Sequence, residues 1–190
     1  MTAQTRLAVF VSMIILVCSE FTYGEKPIKL YKEESTIALK ESNIAVRGLY
    51  FFENRSDFEL DVSISYPFQV NAQQLFPEAV ALLDPKKPLT FEKEKTGIQW
   101  TQHFEPSSIE TVLVAYSQVL KEKEAIYMLK RSSWNGKVDK ISIVIELPLT
   151  FKNVSLSLEP DSSRVDEHKQ SFFITRRYFE AKQDLAITWE

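Results

Sequence analysis

The sequence predicts an all-β chain: an antiparallel β-sandwich with one short crossover helix. Three observations point there. Apolar residues recur at every second position in several segments, turn-forming residues separate those segments at short intervals, and the 190 residues include only four glycines. Period-two alternation marks a strand with one buried and one wet face. Roughly nine or ten such strands with short connections fit a sandwich, and so few glycines argue against propeller blades or glycine-cornered barrels.

The chain begins with a different signal. Arg6 precedes an apolar run at residues 7–17, broken only by Ser12. A bilayer span needs ~20 apolar residues, so the run has the length of a secretory h-region instead. Thr22 and Gly24 supply a small-x-small site, and cleavage is expected after Gly24, making residues 1–24 a signal peptide and 25–190 a single domain. Phe21 and Tyr23 would extend an uncleaved anchor, but Glu20 interrupts it. Lipid attachment at Cys18 is disfavoured because bulky Val17 precedes it.

The mature part has 166 residues, enough for one real core, with 22 basic and 25 acidic side chains and a net charge of −3. That balance offers no broad attraction to nucleic acid or anionic lipid. No second apolar run approaches spanning length, so no transmembrane segment is expected after cleavage. No cysteine follows Cys18, which removes thiol catalysis and cysteine metal sites and leans toward a bacterial source. Export to the periplasm or the extracellular space follows. The triplets Asn54-Arg55-Ser56 and Asn153-Val154-Ser155 fit a glycosylation pattern that is common by chance.

Strands are expected at 36–40 and 43–53. In segment 58–68, Phe58, Leu60, Val62, Ile64, Tyr66 and Phe68 face one way, and Glu59, Asp61, Ser63 and Ser65 the other. Residues 54–57 are turn-forming, which predicts a hairpin between segments 43–53 and 58–68. The crossover helix is expected at 77–83, with Pro77 in its first turn, Phe76, Val80 and Leu83 on one face, and Pro85 and Pro88 beyond. Strands follow at 97–104 and 111–119, the latter apolar on both faces and therefore central. Lys121 to Glu124 reads as a solvated turn. A second hairpin is expected between 125–133 and 138–147, because Asn135-Gly136 is a preferred type I′ pair, with Ile141, Ile143, Ile145 and Leu147 facing the core. Further strands are expected at 151–158, 171–179 and 185–189, with a polar loop at 159–170.

Several of these residues carry a resemblance. Tyr127-x-Leu129 through Trp134-x-Gly136 leads into Ile141-x-Ile143-x-Ile145-x-Leu147-Pro148. Phe104-x-Pro106-x-x-x-Glu110 precedes a Val-rich strand with Tyr116, and Leu185-x-Ile187-x-Trp189 closes the chain. Over about its C-terminal half the sequence resembles a bacterial exported domain family of unknown function with a W-x-G hairpin, departing from it in lacking the usual longer C-terminal extension. The resemblance implies an immunoglobulin- or fibronectin-like sandwich and no known activity.

Candidate chemistry is sparse. His103 sits on an expected strand beside Phe104 and Glu105, the setting of a satisfied or edge-exposed histidine. His168 lies in Asp166-Glu167-His168, whose adjacent side chains splay apart on an extended loop and make a poor chelate. No G-x-S-x-G, P-loop or G-x-G-x-x-G pattern occurs. Most acids alternate with core residues or neighbour lysines, as in Glu92-Lys93-Glu94-Lys95. The sequence therefore predicts an exported, non-catalytic binding or assembly module without cofactor or metal, acting through sandwich loops or a sheet edge. Its partner would be a protein or glycan of the cell envelope. The candidate contact is the tip Trp134, Asn135 and Gly136, and the second surface is the polar loop at 161–170. The alternative is a loop-based hydrolase using acidic residues.

Overall fold

The computed structural model describes residues 26–85, 87–130 and 136–190. The signal segment with its expected cleavage after Gly24 lies outside the described residues, as do Trp134 and Asn135. In chain order the strands are β1 (Ile28–Lys40), β2 (Asn43–Asn54), β3 (Leu60–Pro67), β4 (Ala79–Asp84), β5 (Lys87–Pro88), β6 (Glu92–Glu94) and β7 (Gly97–Phe104). Then come β8 (Ile109–Val119), β9 (Glu124–Tyr127), β10 (Val138–Pro148), β11 (Ser155–Leu156), β12 (Ser162–Val165), β13 (Lys169–Phe179) and β14 (Leu185–Thr188). The fold is all-β, and no helix occurs among the described residues.

Eight strands form one large sheet in the order β12-β13-β10-β1-β2-β8-β4-β5. Two three-stranded sheets, β11-β14-β9 and β3-β7-β6, complete the fold. The large sheet is mixed, because β1 runs parallel to β10 while its other pairs are antiparallel. This departs from the expected purely antiparallel arrangement. One continuous core joins all three sheets: Ile37, Tyr50, Val114 and Ile143 from the large sheet meet Tyr66 and Phe104 from one small sheet and Tyr127 and Ile187 from the other. Aromatic edges lock this seam, with Tyr66 and Tyr116 ring centroids 6.0 Å apart and Phe52 and Phe104 6.4 Å apart.

Alternation is visible where the sequence placed it. Ile141, Ile143, Ile145 and Leu147 are buried in β10, and β8 lies between β2 and β4 inside the large sheet. Ile64, Tyr66 and Phe68 are buried as expected, but Phe58 is exposed. The side chain of Asn54 donates to the carbonyls of Phe58 and Glu105, which holds Phe58 in the loop and delays the strand to Leu60.

Four expectations need correction. The expected crossover helix at 77–83 is instead strand β4. Val80, Leu82 and Asp84 turn toward the interior at alternate positions, and five residue pairs with β8 outweigh the weak preference of a two-turn helix. The hairpin across Trp134-Asn135-Gly136 does not pair: β9 joins β14, whereas β10 lies between β1 and β13. Burying the isoleucines of β10 inside the wide sheet overrides the local turn preference. Likewise β2 pairs with β1 and β8, and β3 with β7, so the residues between β2 and β3 carry the chain from one sheet to another. Finally, the polar stretch at 159–170 contains β12, which pairs with β13. Asp166 shapes their turn by accepting the backbone N–H groups of His168 and Lys169.

Candidate binding surface on the large sheet

Strand β1 decides what each face of the large sheet presents. Its pairing with β2 shifts register between Leu30 and Lys32, which leaves Tyr31 as the extra residue of a bulge. Leu30 is therefore buried on one side of the bulge and Glu33, Ser35, Ile37 and Leu39 on the other. Lys32, Glu34 and Thr36 take the opposite, outer face, because neighbouring strand residues alternate.

On the inner face Glu33 enters a hydrogen-bonded cluster. Its Oε1 accepts from the Tyr127 hydroxyl at 2.5 Å and from the Ser35 hydroxyl at 2.9 Å. The Tyr50 hydroxyl lies 2.9 Å from that of Tyr127 and 2.8 Å from that of Tyr66. The cluster thus ties β1 and β2 to one strand of each small sheet. Gly48 makes room for it: a Cβ there would sit 2.6 Å from Cζ of Tyr50, whose ring is fully buried. Nearby, the amide of Gln74 exchanges two hydrogen bonds with the backbone of Ile126 and donates to the buried Gln118, closing the free edge of β9. These groups are structural, since they are sealed from solvent.

The outer face is different. Arg177 of β13 stands opposite Lys140 of β10, and Lys140 stands opposite Lys32 of β1. The same row continues to Phe51 of β2. Lys32 places its ammonium 4.4 Å from the Phe51 ring centroid and 2.8 Å from Glu34, and Tyr31 meets Phe51 edge-on at 6.1 Å. Among the described residues neither Lys140 nor Arg177 has a hydrogen-bond or ion-pair partner. Like charges directly opposite one another on a sheet are destabilising. Beside the row, Tyr178 is 71% exposed with φ of 50°, a strained conformation for a bulky side chain.

Of the expected tip, only Gly136 is described. Its φ of 116° suits glycine, and a Cβ there would meet nothing within 4 Å. It lies two residues before β10, the strand that carries Lys140. The second expected surface, at 161–170, is largely occupied with its own structure. Asp161 accepts the Thr175 backbone N–H and then the Arg176 guanidinium, which hold its carboxyl below the usual carboxylate range.

His103 lies on β7, away from this row. Asp61 at 3.0 Å from Nδ1, and then Glu105 at 3.3 Å from Nε2, raise its pKa above the ordinary 6.5. Glu59, His103 and Glu105 offer three exposed ligand atoms within 4.8 Å of one another. The hydrogen-bond partners of the imidazole are Asp61 and Glu105, so the arrangement is an exposed charge cluster. His168 contributes only its backbone N–H to the Asp166 turn.

The cation row was missed at the sequence level because it depends on the register of three strands distant in sequence. The inward Glu33 had a signal: counting back by twos from Leu39 and Ile37 reaches Ser35 and then Glu33.

No family model matches the chain, and no curated protein matches it. Solved structures do. The fold is similar to that of a candidate nutrient binding protein from Legionella pneumophila, with a TM-score of 0.64 and 14% identity over 86% of this chain and 67% of that one. It is also similar to an M1 zinc metallopeptidase from Deinococcus radiodurans, with a TM-score of 0.58 and 8% identity over 87% of this chain. A two-domain M1 zinc metallopeptidase mutant bound to L-tryptophan gives 0.58 and 7%. The chain spans 43% of either peptidase. At such identities the likeness is one of fold.

Proposed function

We propose that the chain is an exported, non-catalytic binding or assembly module that meets a protein or glycan of the cell envelope through the outer face of its large sheet. The observation that carries this reading is the uncompensated pair Lys140 and Arg177, set opposite each other on that face. A sheet selected for stability alone would place opposite charges there. The apolar run at 7–17 with Thr22 and Gly24 supports export and a mature domain beginning at residue 25. The name of the Legionella protein supports a binding role more loosely, through shared fold.

Two measurements test the proposal. N-terminal sequencing of the exported protein should begin at Glu25, and an intact Met1 or a lipid on Cys18 overturns that part. A photo-crosslinking residue placed at Ser142, within the outer face, should capture a defined partner in the native cell envelope. Capture only at Lys121, on the exposed turn after β8, would move function off this face.

A further inference from the structure

We infer that the row Arg177–Lys140–Lys32, ending on Phe51 and Tyr31, is a docking strip for an acidic, extended peptide segment of a partner protein. The inference rests on the binding-module reading and names the partner's chemistry.

The strip is in register. Its three cations occupy directly opposed positions on adjacent strands, so their backbones are spaced by about 4.8 Å and span about 10 Å. Two of the three have no partner among the described residues. Neighbouring cations elsewhere are compensated: Lys29 pairs with Asp139 at 2.5 Å, Lys169 pairs with Glu146, and Arg176 pairs with Asp161 at 2.5 Å. On β10 and β13 the uncompensated cations are therefore Lys140 and Arg177 alone, although Arg47 of β2, on the same outer face, and exposed lysines on turns also lack an ion pair among the described residues.

Charge complementarity calls for an anion, and geometry narrows its kind. A single small anion would draw the cationic side chains together but leave the Phe51 and Tyr31 end of the strip unused. An extended peptide carries same-face side chains about 6.7 Å apart, so successive carboxylates can engage both halves of the strip. Arg177 offers a planar fork suited to a carboxylate. Phe51, half-buried beneath the Lys32 ammonium, offers apolar contact for an intervening side chain. Glu34, on the same face and paired with Lys32, bounds the row. That boundary disfavours nucleic acid or an anionic membrane, which are held by broader basic fields.

The test uses the full exported chain and a short fluorescein-labelled peptide of alternating Glu and Ser, with a Gln-for-Glu control, read by fluorescence anisotropy in low salt. The acidic peptide should bind about tenfold or more tightly than the control, and Lys140→Glu with Arg177→Glu should remove about tenfold or more of that affinity. Lys121→Glu with Lys123→Glu, on an exposed turn elsewhere, should change it no more than about twofold. Circular dichroism and a thermal melt establish that both variants are folded. Equal binding of the two peptides, equal loss in both variants, or binding of phosphatidylglycerol vesicles or a single-stranded oligonucleotide as tight as that of the acidic peptide each overturn the strip. If Ser142 still captures an envelope partner while the acidic peptide does not bind, the strip fails and the binding-module reading stands.

Discussion

On the inner face of the large sheet, Glu33 is 1% exposed and receives hydrogen bonds from Tyr127 and Ser35. On the outer face of the same sheet, Lys140 of β10 and Arg177 of β13 oppose each other without a partner among the described residues. The contrast follows from solvent. A buried carboxyl group without hydrogen-bond partners would cost several kcal/mol, so the fold brings it the hydroxyls of Ser35 from the large sheet and Tyr127 from a small one. An exposed repulsion is screened and costs only tenths of a kcal/mol, so it persists where a ligand can use it. The interior is not fully satisfied everywhere: on β7 of a small sheet, Trp100 Nε1 and Gln102 Oε1 have no partner among the described residues.

The comparison is broken most readily from the inside. Ile143→Ala should destabilise by ~2–5 kcal/mol through lost burial and a residual cavity, whereas Ser142→Ala, one residue along and facing outward, should stay within ~0.5 kcal/mol. Denaturant melts of both variants check this, and equal losses would mean that the two faces do not differ. Tyr127→Phe removes the hydroxyl donated to Glu33 and should cost about 1–3 kcal/mol, as expected when a buried polar group loses its hydrogen-bond partner. An unchanged midpoint would show that the cluster contributes nothing net. Gly48→Ala forces a Cβ into the Tyr50 ring and should cost about 1–3 kcal/mol by overpacking. Its effect should shrink in a Tyr50→Phe background if the hydroxyl is the point of conflict.

How much of this was legible in the sequence depended on whether the information was local. Alternation placed Ile141, Ile143, Ile145 and Leu147 in the core and gave β7 its bounds, because each strand's phase is written in its own residues. Pairing was not legible. Asn135-Gly136 states a turn preference, yet β9 and β10 go to different sheets because wider burial outweighs a turn. The helix expected at 77–83 failed for the same reason: β8 offered an edge that the sequence does not announce. The cation row needed the registers of β13, β10 and β1 together, so neither Lys140 nor Arg177 stood out alone.

A third setting sharpens the comparison with the smallest effect. His103 is exposed, where Lys140 is half-buried, and has Asp61 and Glu105 beside it. Both carboxylates raise its pKa above 6.5, Asp61 more strongly. Protonation therefore favours the fold: the contribution is full below pH 6.5, the unfolded value, and fades as pH rises through the raised folded value. Thermal melts of wild type and Asp61→Asn should differ most at acidic pH and converge above the titration. A gap that widens with rising pH would contradict this local compensation.

The central claim is that the outer row carries repulsion that does not serve the fold. Lys140→Glu tests it most directly, because one reversal converts both repulsive neighbours, Lys32 and Arg177, into attractive ones. Denaturant melts should show a gain on the order of 0.5–1.5 kcal/mol in low salt, shrinking toward zero in about 1 M salt, where the screening length falls to ~3 Å. A loss of stability, or a gain indifferent to salt, would contradict the account.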